Sequence, residues 1–246
     1  MKYNDTLIII PARLNSTRLA KKVLINVNGK TIIEHVLHQV SLTDVPRENI
    51  IVACDHNDIL EVVQNAGYKG ILTNSDLSSG TDRIYQALTA IDHSQYNYIV
   101  NVQGDLPNIK PETIHNIIDF IKESDEFNIT TAACIISTKD AFTPSIVKPV
   151  LAMKNDKHGK ALYFTRSITP YGHGDYYKHI GVYAFDKASL EKFVQLEPSV
   201  LEKREKLEQI RALENNMSIG VVIVEDDPIS IDTNPDLEKF INQVKE

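Results

Sequence analysis

Leu7-Ile-Ile-Ile-Pro-Ala-Arg-Leu-Asn-Ser-Thr-Arg-Leu-Ala-Lys-Lys22 is the stretch on which the reading of the fold turns. Four apolar residues come first, three of them β-branched, which is the pattern of a strand buried on both faces. A polar loop follows, carrying Arg13, Arg18, Lys21 and Lys22. In an open α/β sheet, ligands bind beyond the carboxyl ends of the strands, so this loop stands where a ligand belongs. Its charge calls for an anion, and a nucleoside triphosphate is the working idea, because several fixed cations suit a polyanion. The bland alternative is a solvated charged loop. Charge alone does not separate the two, but the position after a buried strand favours a site. The sequence lacks Gly-x-x-x-x-Gly-Lys-Ser/Thr, so this is not a P-loop.

Working outward, Lys30 to Val40 has helical apolar spacing, and Asn49 to Asp55 reads as a strand ending in a polar residue. A helix over Asn57 to Ala66, stopped by Gly67, precedes a short strand at Gly70 to Thr73. Thr81 is placed to N-cap a helix running to Ile91. Tyr98 to Val102 is the next strand, Pro111 to Lys122 a helix and Ile129 to Ser137 a strand. Alternating strands and helices predict an α/β fold built on a mostly parallel sheet. The rhythm then changes: Ile146 to Lys154, Ala161 to Arg166 and His179 to Phe185 are strand-like, with turn formers between them, which predicts a β-rich elaboration. Helices are expected over Lys187 to Val194 and, unbroken, over Pro198 to Asn215. A strand at Ser218 to Val224 and a last helix at Pro235 to Val244 complete the chain.

The length, 246 residues, suits one large α/β domain with a small elaboration. A net charge of −7 argues against general nucleic-acid binding, which needs a basic excess or stripe. Cys54 and Cys134 both lie in apolar runs and read as buried thiols rather than a disulfide or a metal pair. No apolar run is long enough to span a bilayer and the N-terminus lacks a signal-peptide core, so a cytoplasmic protein without membrane insertion is expected.

Three further segments bear on chemistry. Val100-Asn-Val-Gln-Gly-Asp105 ends a strand with Gln103 and then a carboxylate, suited to Mg²⁺, which takes one or two carboxylates plus phosphate oxygens and water. An aspartate in a turn is the plain alternative. Ile229-Ser-Ile-Asp232 is a second apolar run ending in a carboxylate, although Asp232, Thr233 or Asn234 could equally cap the last helix. On the 201–213 helix, Glu208 and Gln209 flank a buried stripe, a place where such residues are usually solvated. His179 is a candidate polar contact, more often structural. The eight histidines show no zinc spacing, and no Gly-x-Ser-x-Gly elbow is present.

Seven stretches together resemble one family, the CMP-Kdo synthetases or 3-deoxy-manno-octulosonate cytidylyltransferases. They are Ile9-Ile-Pro-Ala-Arg-Leu-Asn-Ser-Thr-Arg-Leu19, Ser79-Gly-Thr-Asp-Arg83, Val100-Asn-Val-Gln-Gly-Asp105, Ala161-Leu-Tyr-Phe-Thr-Arg-Ser167, His179-Ile-Gly-Val-Tyr183, Leu207-Glu-Gln-Ile-Arg211 and Ile231-Asp-Thr233. The resemblance implies the reaction CTP + Kdo → CMP-Kdo + pyrophosphate, serving lipopolysaccharide synthesis. It implies a nucleotide-diphospho-sugar-transferase-like, Rossmann-like fold, Mg²⁺ and a homodimer. It also implies a single domain over 1–246, in which about 143–185 builds the sugar site and dimer contact.

Carried over by motif, Arg13, Arg18 and Lys22 would hold the triphosphate, and Ser79, Gly80 and Arg83 would shape the cytosine pocket. Asp105 and Asp232 would hold Mg²⁺, with Arg13 and Lys22 sharing the catalytic work. Gln103, Arg166, His179, Tyr183, Glu208 and Gln209 would face the Kdo. Where the family usually has Pro-Gly before the loop lysine, this chain has Ala20-Lys21, which leaves open whether Lys21 or Lys22 reaches phosphate. Leu106 stands where Glu or Gln often follows Gly-Asp, Thr169 where Ile is commoner and Asn234 where Pro is usual. An 8-amino sugar, another acid sugar, or nucleotide binding without turnover remain alternatives.

Overall fold

A computed structural model describes residues 2–15, 18–77 and 79–245, so Ser16 and Thr17 of the quoted motifs lie outside the described residues. The chain forms two compact units, Met1–Glu112 with Pro228–Glu246, and Thr113–Asp227.

The first unit is built on β1 (Thr6–Ala12), whose seven residues are all buried, as a strand flanked on both faces requires. The chain then makes the short ribbon β2 (Asn26–Val27) and β3 (Lys30–Thr31), followed by β4 (Ile50–Cys54), β5 (Lys69–Leu72) and β6 (Tyr98–Asn101). β1 pairs in parallel with β4 on one side and β6 on the other, and β5 extends the sheet beyond β4. A proline in such a central strand must lose no ladder bond. Pro11 meets that condition because pairing with β6 ends at Ile9 and Asn101, two residues earlier.

Helix α1 (Ile32–Ser41) starts at a capping box formed by Thr31 and Glu34 and buries Ile32, Ile33, Val36, Leu37 and Val40. α2 (Asn57–Asn65) and α3 (Gly80–Thr89) follow their strands. The cap of α3 is Ser79, whose hydroxyl accepts from the Asp82 N–H at 3.0 Å, and not Thr81, which lies buried inside the first turn. Thr81 has the right chemistry for a cap but sits two residues too late.

The second unit opens with α4 (Pro111–Glu123), which runs in from the first, and continues with β7 (Ile129–Ile136), α5 (Thr138–Ala141), β8 (Lys148–Met153), β9 (His158–Thr165) and β10 (Tyr176–Asp186). α6 (Lys187–Val194), α7 (Val200–Glu205), α8 (Gln209–Glu214) and β11 (Ile219–Ile223) close it. Here β7 pairs in parallel with β11, while β10–β7, β11–β9 and β8–β9 are antiparallel. The expected β-rich stretch therefore holds β8, β9 and β10. The register of β10 against β7 breaks between Ile180, opposite Ala132, and Tyr183, opposite Thr131. That bulge re-aims the side chains on either side of it.

One helix expected over Pro198 to Asn215 is two. Lys206 adopts the left-handed conformation (φ 57°, ψ 48°) and ends α7. The two short helices are tied by Arg211, which donates to both carboxylate oxygens of Glu202. Helical periodicity survives such a break because a stripe of apolar residues can be shared by two short helices. The chain finally returns to the first unit in α9 (Asn234–Lys245), which buries Phe240 against Val27, Ile32 and Ile231.

Candidate active site

At the carboxyl end of β6 the chain turns through Gln103, Gly104 and Asp105. A Cβ on Gly104 would lie 2.8 Å from the carbonyl oxygen of Pro11, so only glycine lets this turn close against β1. The turn delivers Asp105 beside the segment that precedes α9. Ile229 to Asp232 is not a strand; instead the Ile231 N–H donates to the Asp105 carbonyl at 3.0 Å. This bond supplies the adjacency of Asp105 and Asp232 that the sequence left open.

The same geometry decides between the two readings of Asp232. Its side chain does not cap α9; Asp236 serves the helix start by accepting from the Thr233 N–H and hydroxyl. The Asp232 carboxylate is left to meet cations. Lys22 Nζ lies 2.6 Å from Asp105 Oδ2 and 3.0 Å from Asp232 Oδ1, and Arg18 Nη2 lies 3.1 Å from the other Asp232 oxygen. Two carboxylates thus converge on a single ammonium. Burial disfavours the charged form of Lys22, yet Asp105 and Asp232 outweigh it and raise its pKa above 10.5.

Lys22 is therefore not turned outward as a phosphate clamp would be; it occupies the point on which the two expected metal ligands converge. Lys21 faces elsewhere, pairing with Asp58 at 3.4 Å, and takes a left-handed backbone (φ 51°, ψ 32°). That is the conformation a glycine at this position would supply, so the Ala20-Lys21 sequence keeps the turn in spite of losing the usual turn former.

Arg13 is exposed, and its charge adds to burial in lowering the pKa of Arg83, against the pull of Asp55. Arg83 is itself 3% exposed and donates to the Thr73 hydroxyl at 2.6 Å and the Asn74 carbonyl at 3.1 Å. Asp55 faces Arg83 at 3.8 Å with one oxygen and accepts from the Leu14 N–H at 2.8 Å with the other. Asp55 was visible in sequence only as a polar residue ending a strand, yet it links the loop after β1 to α3. A Cβ at Gly80 would contact Pro11 and the Gln103 amide, each at 3.5 Å, so glycine keeps a space open between these groups. Gln103 donates to Asn101 Oδ1 at 3.3 Å, and Asn101 Nδ2, fully buried, has no hydrogen-bond partner among the described residues. Sequence reasoning did not single out Asn101.

In the second unit, Arg166 is half-buried and held at four points. Its Nε donates to the Glu205 carbonyl at 2.9 Å, its Nη1 to the Pro144 carbonyl at 3.1 Å and its backbone N–H to the Glu205 carboxylate at 3.0 Å. Its carbonyl accepts from Lys148 Nζ at 2.6 Å. Lys148, completely buried, gives its other two protons to the carbonyls of Ile146 (2.7 Å) and Thr143 (3.0 Å). Neither Lys148 nor Glu205 was singled out from sequence, because a lysine at the start of a strand ordinarily points to solvent.

His179 lies within ring-contact distance of Phe164 (5.0 Å) and Tyr183 (5.5 Å), and burial pulls its pKa down to about 3. The Tyr183 phenol is pushed well above 10, by burial first and then by the charge of Glu208. Both rings are therefore neutral at physiological pH. Gln209 is buried and its Nε2 has no hydrogen-bond partner among the described residues, an unmet donor of the kind a ligand satisfies. So the structure groups Arg18, Lys22, Asp105 and Asp232 at one place in the first unit. Arg13, Ser79, Gly80, Arg83 and Gln103 follow its strands, and Arg166, His179, Tyr183, Glu208 and Gln209 belong to the second unit. No group of three or more His, Cys, Asp or Glu residues is arranged for a metal among the described residues, and no described helix is long and apolar enough to cross a membrane.

Comparison with known proteins agrees with the family read from the seven stretches. The cytidylyltransferase family model matches residues 7–219. The 3-deoxy-manno-octulosonate cytidylyltransferase of Bartonella henselae is 48% identical over 236 residues, 96% of each chain. That of Rickettsia bellii is 45% identical over 242 residues, covering 98% of this chain and 96% of its own. Among solved structures, CMP:2-keto-3-deoxy-manno-octonic acid synthetase complexed with CTP aligns with a TM-score of 0.90 at 31% identity, covering 98% of this chain and 99% of the other. The 4-diphosphocytidyl-2C-methyl-D-erythritol synthase of Anaerococcus prevotii, at 18% identity and a TM-score of 0.64, shares the fold alone. By sequence along nearly its whole length and by fold, the chain belongs to the 3-deoxy-manno-octulosonate cytidylyltransferase family of nucleotidyltransferases.

Proposed function

We propose that the chain joins CTP to the eight-carbon acid sugar Kdo, giving CMP-Kdo and pyrophosphate for lipopolysaccharide synthesis. The observation that carries the mechanism is the convergence of Asp105 and Asp232 on one cation, beside Arg18. Mg²⁺ fits this place: two carboxylate oxygens already approach a common point, and the ion takes its remaining ligands from phosphate oxygens and water. When bound, Mg²⁺ supplies Lewis-acid stabilisation of charge on the reacting phosphate and acceptor oxygens.

The chain's own residues do the positioning. In the reaction the anomeric hydroxyl attacks the α-phosphorus in line and pyrophosphate leaves, a transfer governed by alignment and charge neutralisation rather than by a covalent nucleophile. Arg13 and Arg18 are exposed cations on the loop after β1, available to the leaving pyrophosphate. Lys22 joins them once its carboxylate partners are taken by another cation. Ser79, Gly80 and Arg83 frame the base, with Arg83 held rigid by Asp55, Thr73 and Asn74. Arg166 offers its remaining donors to the sugar carboxylate, where a planar fork suits a planar anion. Gln103, His179, Tyr183, Glu208 and Gln209 take the hydroxyl groups. The β-rich region of about 143–185 serves the sugar site and a homodimer contact, and the enzyme works in the cytoplasm.

Pyrophosphate release from CTP, Mg²⁺ and Kdo, run beside the 8-amino analogue and sialic acid, tests this reading. The expected outcome is turnover with Kdo, and loss of about 10³-fold in kcat for Asp105→Asn, comparable with deleting a strong transition-state contact. Absence of turnover with every acid sugar, or an Asp105→Asn variant as fast as the parent, would count against it.

A further inference from the structure

We propose that Thr131 is a positioning residue for the sugar side of the reaction: its hydroxyl holds the His179 imidazole as the Nε2–H tautomer and so leaves Nδ1 bare, as a hydrogen-bond acceptor for a sugar hydroxyl. The inference rests on the reading that His179 faces the acid sugar.

The argument begins at the bulge in β10. Where the ladder slips between Ile180 and Tyr183, the carbonyls of Ile180 and Val182 turn toward Thr131 on β7. Thr131 is fully buried, and its Oγ1 lies 2.6 Å from the Val182 oxygen and 3.2 Å from the Ile180 oxygen. The third neighbour is Nε2 of His179, at 3.0 Å. A hydroxyl has one proton and two lone pairs. With two carbonyl oxygens able only to accept, the proton goes to them, and Val182 at 2.6 Å is the better placed. The oxygen then presents lone pairs to the ring, and Nε2 is attracted only by donating. The reverse arrangement would set lone pair against lone pair, or would strip two buried carbonyls of their shared donor.

The second step concerns the charge of the ring. Burial holds the His179 pKa at about 3, so at neutral pH the imidazole carries one N–H and not two. That single proton is committed to Thr131. Nδ1 is therefore a lone-pair acceptor, and it makes no hydrogen bond with the described residues. The ring cannot turn away easily: the His179 N–H donates to the Val147 carbonyl at 2.9 Å, and Phe164 and Tyr183 flank the imidazole. A bare acceptor complements a hydroxyl and repels a carboxylate. It thus divides the labour with Arg166, whose guanidinium can only donate.

The test is ¹⁵N NMR of His179 in the whole protein, with and without Kdo in the presence of a non-hydrolysable CTP analogue. A protonated Nε2 and an unprotonated Nδ1 in the free protein, with the Nδ1 resonance moving on addition of Kdo, are expected. Thr131→Val should raise the Kdo KM by about tenfold, the value of one good hydrogen bond, while the CTP KM and kcat stay within about twofold. Thr131→Ser, which keeps the hydroxyl, should restore the parent KM. A proton on Nδ1 in the free protein overturns the tautomer assignment and leaves the sugar reading standing. A bare Nδ1 whose resonance ignores Kdo while CTP turnover proceeds overturns the sugar reading of His179, and the proposal with it. Because the spectra come from the unaltered chain, a Thr131→Val variant that fails to fold does not remove the test.

Discussion

Each unit buries a lysine, and the two are used in opposite ways. Lys22 in the first unit is 9% exposed and faces two carboxylates; Lys148 in the second is completely buried and faces three backbone carbonyls. Burial disfavours the charge of both. For Lys22 the charges of Asp105 and Asp232 reverse that effect and raise its pKa. For Lys148, Arg166 adds to the burial and Glu205 does not make up the difference, so its pKa falls. An ammonium held by two carboxylates can be replaced by another cation, because what the pocket requires is positive charge. One whose three protons are spent on three fixed carbonyls can be replaced by nothing of different geometry. The first lysine marks a place of exchange, the second a fixed joint beneath Arg166.

The comparison is broken most directly at Lys148. Lys148→Met keeps the length of the apolar stem, up to Cε, and removes all three donors. With the carbonyls of Thr143, Ile146 and Arg166 left unmet, the expected loss is about 3 kcal/mol or more, read from the urea midpoint. The Kdo KM should rise along with it, since the Arg166 backbone loses its anchor. A loss below about 1 kcal/mol would mean that water replaces the ammonium without strain and that the joint is not fixed.

At Lys22 the same substitution should act on binding more than on stability. Asp105 and Asp232 keep side chains 24% and 37% exposed, so water can solvate them when the ammonium goes. Lys22→Met is expected to bind Mn²⁺ about tenfold tighter than the parent in the absence of nucleotide, followed by the electron paramagnetic resonance of free Mn²⁺. Lys148→Met should leave that affinity unchanged. Equal Mn²⁺ binding by Lys22→Met and the parent would show that the two carboxylates do not share a cation site.

How far the sequence could be read also differs between the units. In the first, strands buried on both faces announce themselves as apolar runs, and β1, β4 and β6 fall where Leu7 to Ile10, Asn49 to Asp55 and Tyr98 to Val102 placed them. The position of Asp105 was legible for the same reason, one residue past a strand-end glycine, but an aspartate in a turn is common there and only the family resemblance singled it out. The pairing of Asp105 with Asp232 was not legible, because it rests on one backbone bond from Ile231, formed between segments more than a hundred residues apart. In the second unit the strands were seen but their work was not. The bulge that gives Thr131 its three neighbours leaves no mark on alternation of apolar residues, and the break at Lys206 hides behind helical spacing that continues across it. Burial of Lys148 is a tertiary fact that overrides the ordinary preference of lysine for solvent.

A pH series sharpens the comparison from the second unit's side. His179 has a folded pKa near 3, below the unfolded value of about 6.5, so between those values the unfolded chain binds the extra proton. Its contribution therefore costs nothing above about pH 6.5 and destabilises progressively as the pH falls below it, by at most about 1.4 kcal/mol per unit, the ceiling for one proton. His179→Gln should flatten the acid limb of the stability curve between pH 6.5 and 4 relative to the parent. An unchanged slope would show that the ring is free to protonate in place, which would also weaken its role as a neutral acceptor.

The smallest effect sets one more lysine in each unit side by side. Lys21 (φ 51°) and Lys206 (φ 57°) both hold left-handed backbones, the first before the turn that carries Lys22, the second between α7 and α8. A non-glycine residue there costs about 1–2 kcal/mol, and glycine recovers part of it while adding freedom to the unfolded chain. Lys21→Gly is therefore expected to stabilise by about 0.5–1 kcal/mol, since the contact given up, with Asp58, is an exposed pair of little worth. Lys206→Gly should gain less, because a lysine at the end of α7 also offsets the negative end of the helix. Urea midpoints separate the two. Should Lys21→Gly destabilise instead, its side chain would have to be holding the loop, and Ala20-Lys21 would be a working alternative to the usual Pro-Gly rather than a tolerated one.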